Sequence, residues 1–176
     1  MPVAPDPRPH PGQSGRALEP HQWSPTEPLT LRPHNLLCLQ GWQGMGYSPA
    51  FTANMDRVFH HLRQHPEAVV TLRSRTDVLC GACPLNIGEC RHDAEEGGLI
   101  TDHDARTLVR LGLEEGGHYT WADLEAAVAR GMRGEEIATH CAFCRWEPLG
   151  VCAAGIDALR SRLAAQASGA GAPPAA

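Results

Sequence analysis

Two short stretches, CGACPLNIGEC at 80–90 and CAFCRWEPLGVC at 141–152, restrict what this chain can fold into more than any other feature. Each is a CxxC motif followed by a third cysteine: Cys80, Cys83 and Cys90 in the first, Cys141, Cys144 and Cys152 in the second. Two thiolates two residues apart can grip one metal while the loop returns a third. One such motif is a weak signal, but two of nearly equal design point strongly to a metal or a cluster. Three sulfurs leave each group one ligand short of four. The seventh cysteine, Cys38, lies in RPHNLLCLQ, four residues after His34, and residues i and i+4 of a helix share a face. Adding Cys38 and His34 gives eight candidate ligands, enough for two four-ligand sites. The same set permits one tetrathiolate site drawn from both CxxC motifs, or one 4Fe-4S cluster on three cysteines with an open iron. His92 and His140, each close to a cysteine, are rival fourth ligands. Cys38 also sits among Leu36, Leu37 and Leu39, so plain core packing is its competing reading.

The rest of the chain reads as mainly α with a small β component, a compact single domain whose Cys-rich metal-binding loops interrupt the helices. Ser48 is placed as an N-cap and Pro49 as the first helical residue. Phe51, Met55, Val58, Phe59 and Leu62 then form one apolar stripe, ended by Pro66. Alternation from Val70 to Arg73 predicts a short strand. TDHDARTLVRLGL and TWADLEAAVARGM each start with Thr followed three residues later by Asp, a carboxylate form of the capping box, and predict two helices from Thr101 and Thr120. A shorter helix through GEEIATH leads to Cys141, and a last one runs from about Cys152 to Ala165 with Ile156, Leu159 and Leu163 at helical spacing. Gly44, Gly46 and Tyr47 form a tight loop between helices, and Trp146 is placed to shield a site from water. His61 and His65 read as solvent-facing, while His103 and His118 have no identified partners.

Residues 1–28 carry repeated prolines without apolar periodicity and read as a disordered extension; residues 29–165 form the Cys-rich domain, and 166–176 a flexible Ala/Gly/Pro tail. No secretory signal and no membrane-spanning run is seen, so a cytoplasmic location is expected. Thiols stay reduced there, and seven is an odd count, which disfavours a disulfide framework. A net charge of −5 argues against general nucleic-acid binding. Motifs for a Ser-nucleophile hydrolase and for a P-loop are absent, and the helical setting fits poorly with thioredoxin-like catalysis.

Spacing leaves the metal open. Zinc favours a closed tetrahedron of thiolates and imidazoles, and iron-sulfur clusters accept the same thiolates. Further residues bear on the choice: Arg32-Pro33-His34-x-Leu36-Leu37-Cys38, Gly44-x-Gly46-Tyr47-Ser48, Asn54-Met55-Asp56 and the Asp77-x-x-Cys80 lead into the first CxxC motif. As a set, these resemble a family of short bacterial and archaeal proteins catalogued as a domain of unknown function, number 1284, and described as candidate iron-sulfur binders. The resemblance runs from about residue 30 to Cys152. It implies that His34, Cys38 and both cysteine groups belong to one constellation, and it favours iron-sulfur over zinc. The chain departs from the family pattern at Asn35, where a second histidine often stands, and at Met45, where a basic residue often stands.

The resulting expectation is an iron-sulfur protein, with one or two clusters, acting in electron transfer or redox sensing with a redox partner protein. Its two rivals are a structural zinc module that presents a protein-binding surface, and an enzyme with an open cluster iron and Cys38 as nucleophile.

Overall fold

The computed structural model describes residues 17–169, and the first sixteen and last seven residues, expected to be disordered or flexible, lie outside the described residues. Ser48 caps the first long helix as its sequence dictates: its hydroxyl accepts a hydrogen bond from Phe51 N–H, and Pro49 fills the first helical position. The elements run β1 (Thr30–Leu31), α1 (Asn35–Gln40), α2 (Pro49–Gln64), β2 (Val69–Leu72), α3 (Arg91–Glu95), α4 (Leu99–Leu111), β3 (His118–Thr120), α5 (Trp121–Gly131), α6 (Ile137–His140) and α7 (Val151–Gly169). The protein is therefore mainly helical, with a small sheet ordered β1-β2-β3, parallel at the first pairing and antiparallel at the second. Thr120 caps α5 by accepting from Asp123 N–H at 3.2 Å, as its capping box predicts. No helix among the described residues is long and apolar enough to cross a membrane.

One hydrophobic core gathers Leu31, Leu36, Leu37, Leu39, Val58, Leu62, Val70, Leu72, Leu124, Val128 and Ile156, drawn from sheet and helices alike. α7 packs on α1 and α5. Where α1 ends on α7 the backbones nearly touch. A Cβ on Gly41 would fall 2.6 Å from the backbone of Cys152, and one on Gly155 would overlap the carbonyl of Gln40. Only glycine fits at both positions, and this close crossing carries Cys38 on α1 toward Cys152 on α7.

Three expectations change. α4 starts at Leu99 after Gly98, which takes a left-handed φ of 88°, so Thr101 lies inside the helix rather than capping it. The first turn is capped from outside by Asp93, whose Oδ1 accepts from Ile100 N–H and Thr101 N–H, both at 2.8 Å. Residues 17–28, expected to be part of the disordered extension, are largely exposed but pinned at Trp23, which is 1% exposed and whose backbone N–H donates to Asn54 Oδ1 at 2.7 Å. The apolar body of one tryptophan anchors a segment whose average composition looks unstructured. The last helix also continues beyond Ala165 to Gly169.

Candidate metal centre

Both CxxC segments fold into the same local turn. Cys83 N–H donates to Cys80 C=O at 3.0 Å and Asn86 N–H to Cys83 C=O at 3.1 Å; likewise Cys144 N–H donates to Cys141 C=O at 2.8 Å and Glu147 N–H to Cys144 C=O at 3.0 Å. Both cysteines of each motif line the same cavity. The first turn is fixed by Asp77, whose Oδ1 accepts from Leu79 N–H at 2.9 Å and Cys80 N–H at 3.0 Å. Asp77 Oδ2 accepts from Arg32 N–H at 2.6 Å and Asn35 Nδ2 at 2.8 Å, stitching the Cys80 turn to the start of α1. Cys90 stands at the N-cap position of α3. On the other side, Gly150 at a φ of 67° reverses the chain into α7, placing Cys152 in its first turn.

All seven cysteines are reduced and half-buried, and all of them line one cavity of about 430 Å³. His34, His92 and His103 also line it, together with aromatic and aliphatic side chains that include Trp42, Tyr47, Phe51 and Trp146. Tyr47 meets Trp146 and Phe51 edge-on, with ring centroids 5.7 and 5.3 Å apart, and Arg145 lies over its ring. Trp146, expected to shield the site, therefore forms part of its wall. Within the cavity Cys38 on α1 neighbours Cys152 on α7, and Cys141 and Cys144 lie within electrostatic reach of it, so the one cysteine unassigned by spacing falls with the second motif, a group of four sulfurs. Cys80, Cys83 and Cys90 make up a three-sulfur set.

The thiols are hard to ionise where they stand. Burial pushes Cys83 up to about 11 and, with Cys144 and Cys152 nearby, Cys141 up to about 12. Burial and the Asp77 carboxylate raise Cys80, and burial raises Cys144. The neighbouring pair divides: Cys152 and burial raise Cys38, whereas Cys38 lowers Cys152. A bound cation would favour the deprotonated form of every one of these groups.

His34 is held by a carboxylate. Its Nδ1 lies 2.7 Å from Asp104 Oδ1, which also accepts from His34 N–H at 3.0 Å. Asp104 is fully buried, and its Oδ2 accepts from Arg32 Nε at 2.6 Å; Arg32, 1% exposed, reaches Asp93 Oδ2 at 2.9 Å. Although burial opposes it, hydrogen bonding to His34 and the Arg32 charge hold Asp104 below the usual carboxylate range. Pinning Nδ1 in this way fixes the ring and leaves Nε2 free, the arrangement that supports ligating histidines in metal proteins.

Sequence reasoning passed over His103 and read Asp104 as a capping residue. His103 is 3% exposed, and its Nε2 lies 3.7 Å from Cys141 Sγ. Burial, reinforced by His34 and His140, depresses its pKa to about 3, so the ring is neutral near pH 7. The rival ligands separate: His92 lines the cavity with Nδ1 3.7 Å from Glu96, whereas His140 is absent from the cavity wall and its Nε2 lies 2.9 Å from Thr107 Oγ1. His61, expected to face solvent, is half-buried edge-on against Trp23. Among the described residues, no three His, Cys, Asp or Glu side chains meet as a ready-made site for one metal ion. The eight candidate ligands all line the one cavity.

No curated protein and no solved structure matches the chain. A family model described as "Protein of unknown function (DUF1284)" matches residues 46–150. The matched span contains five of the cavity cysteines, and Cys38 and Cys152 flank it on either side. The chain belongs to the DUF1284 family.

Proposed function

We propose that this protein binds iron-sulfur cofactor in the thiol-lined cavity and serves in electron transfer or redox sensing. The observation that carries the reading is the convergence of all seven cysteines on one largely apolar cavity. Seven soft donors suit iron-sulfur and zinc alike, but sulfurs set round a space rather than gathered on a point suit a multi-iron cluster better than a single ion. When bound, a cluster supplies one-electron redox chemistry whose potential depends on hydrogen bonding and burial. Cys38, Cys141, Cys144 and Cys152 would hold one centre. Cys80, Cys83 and Cys90 would hold a second with three sulfurs, with His34 and His92 as the imidazoles facing the cavity. In this reading Cys38 is a ligand rather than a nucleophile, because it lines the cavity beside the three cysteines of the second motif.

The chain's own residues contribute three things. Asp104 orients His34; Tyr47, Phe51 and Trp146 keep water from the sulfurs; and the two CxxC turns set both cysteines of each motif on the cavity wall. The test is the iron, zinc and acid-labile sulfide content, with a visible spectrum, of protein purified without oxygen and without a metal-binding tag. Brown protein with matching iron and sulfide, reversibly bleached by a mild reductant, is the expected result. Colourless protein with zinc and no sulfide would end the redox reading in favour of a structural zinc module.

A further inference from the structure

His103 is the one buried imidazole of the cavity wall whose chemistry is not yet accounted for. It sits on α4 between three rings: His34 at 5.7 Å, His140 at 4.8 Å and Phe143 edge-on at 4.9 Å between centroids. His34 is tied to Asp104 and His140 to Thr107, so neither offers His103 a stronger partner than the sulfur in front of it. Nδ1 is buried with no hydrogen-bond partner, while Nε2 faces Cys141 Sγ at 3.7 Å. An imidazole can carry an N–H on either ring nitrogen. Were it on Nδ1, a buried donor would be left unsatisfied. On Nε2 it has a sulfur to bind, and a metal-bound thiolate, having no proton of its own, is purely an acceptor.

We infer that His103 donates its Nε2–H to the Cys141 thiolate when the four-sulfur set is loaded, raising the reduction potential of the centre held there without ligating it. The inference rests on the iron-sulfur reading above. Its physical basis is that each added electron places negative charge on the sulfurs, and a fixed donor stabilises the reduced state more than the oxidised one. The four cysteines already supply four ligands, so the set does not need the ring nitrogen. His103 is a positioning and tuning residue.

The experiment measures the midpoint potential of the full-length protein, purified anaerobically, by spectroelectrochemistry, with the centre assigned by its loss in Cys141→Ser. His103→Leu should keep the wild-type iron and sulfide content while its potential shifts to a more negative value, and His103→Gln, which retains an N–H near the Nε2 position, should recover part of that shift. An unchanged potential in His103→Leu with the cluster intact would overturn the inference. Should His103→Leu fail to fold, pulsed EPR of the reduced wild-type protein labelled with nitrogen-15 histidine decides. At the centre lost in Cys141→Ser, a weak nitrogen coupling with an exchangeable proton supports the hydrogen bond; a strong coupling at that centre marks direct ligation and overturns it, as does no coupling there at all. Wild-type protein holding neither iron nor sulfide fails at the earlier step and overturns the iron-sulfur reading itself, which separates the two failures.

Discussion

The two cysteine regions share a local turn but differ in how the rest of the molecule holds them. Cys80, Cys83 and Cys90 lie within eleven residues of one another and are secured by nearby polar atoms, chiefly the Asp77 carboxylate. Cys141, Cys144 and Cys152 gain a fourth sulfur from α1, and what brings it is a crossing of helices that admits no side chain at Gly41 or Gly155. One region is built by hydrogen bonds centred on Asp77, the other by the packing of one helix on another. The same motif therefore need not mean the same mechanical support, and each region should fail by its own route.

The network between the regions should give the largest effect. Asp104→Ala strips the buried Arg32 of its closest partner, and leaving such a charge uncompensated costs about 3–5 kcal/mol. Urea unfolding should show that loss, and a change under 1 kcal/mol would mean that Asp93 and water suffice for Arg32. Next comes the packed side. Gly155→Ala forces α7 off α1 and should cost about 1–3 kcal/mol, the usual range for overpacking. It should also slow the capture of Cys38 and Cys152 by a short thiol cross-linker, mapped by mass spectrometry, while Cys80 and Cys83 react as before. Equal slowing at both pairs would show that the regions are mechanically one. On the hydrogen-bonded side, Asp77→Ala removes the acceptor for the Leu79, Cys80 and Arg32 amides and the Asn35 side chain, and should cost about 0.5–2 kcal/mol, as cap losses do. Hydrogen exchange should quicken at Leu79 and Cys80 and stay unchanged at Cys144; protection retained at Leu79 would assign the turn's support elsewhere. Thr120→Ala, remote from both sets, serves as the reference at about 1 kcal/mol and should leave both exchange patterns alone.

The parts of the fold that were legible in the sequence are those set by neighbours along the chain. Ser48-Pro49 and Thr120-x-x-Asp123 act within one helical turn, and both helices start where those residues place them. β2 was visible from its alternation, whereas β1 and β3, two and three residues long, carry no period to read. The cysteine spacing marked the right residues for the cavity, and His34 with them. Asp104 and His103 were not legible, because their partners Arg32, His34 and Cys141 lie far away in sequence and no local pattern encodes such a pairing. Asp104 even carried a misleading local signal, since the Thr101 three residues before it imitates a helix cap. Trp23 was hidden for a similar reason: composition averages over a segment, and burial of a single large ring does not register in the average.

The crossing of α1 and α7 bears on how the protein matures. Cys38 and Cys152 are 114 positions apart, close to the two limits of the described chain, so a nascent polypeptide leaving the ribosome can complete its Cys80–Cys90 loop long before the last member of the four-sulfur set has been synthesised. The Cys80–Cys90 loop can therefore fold early, whereas the approach of Cys38 to Cys152 must wait until α7 has been made.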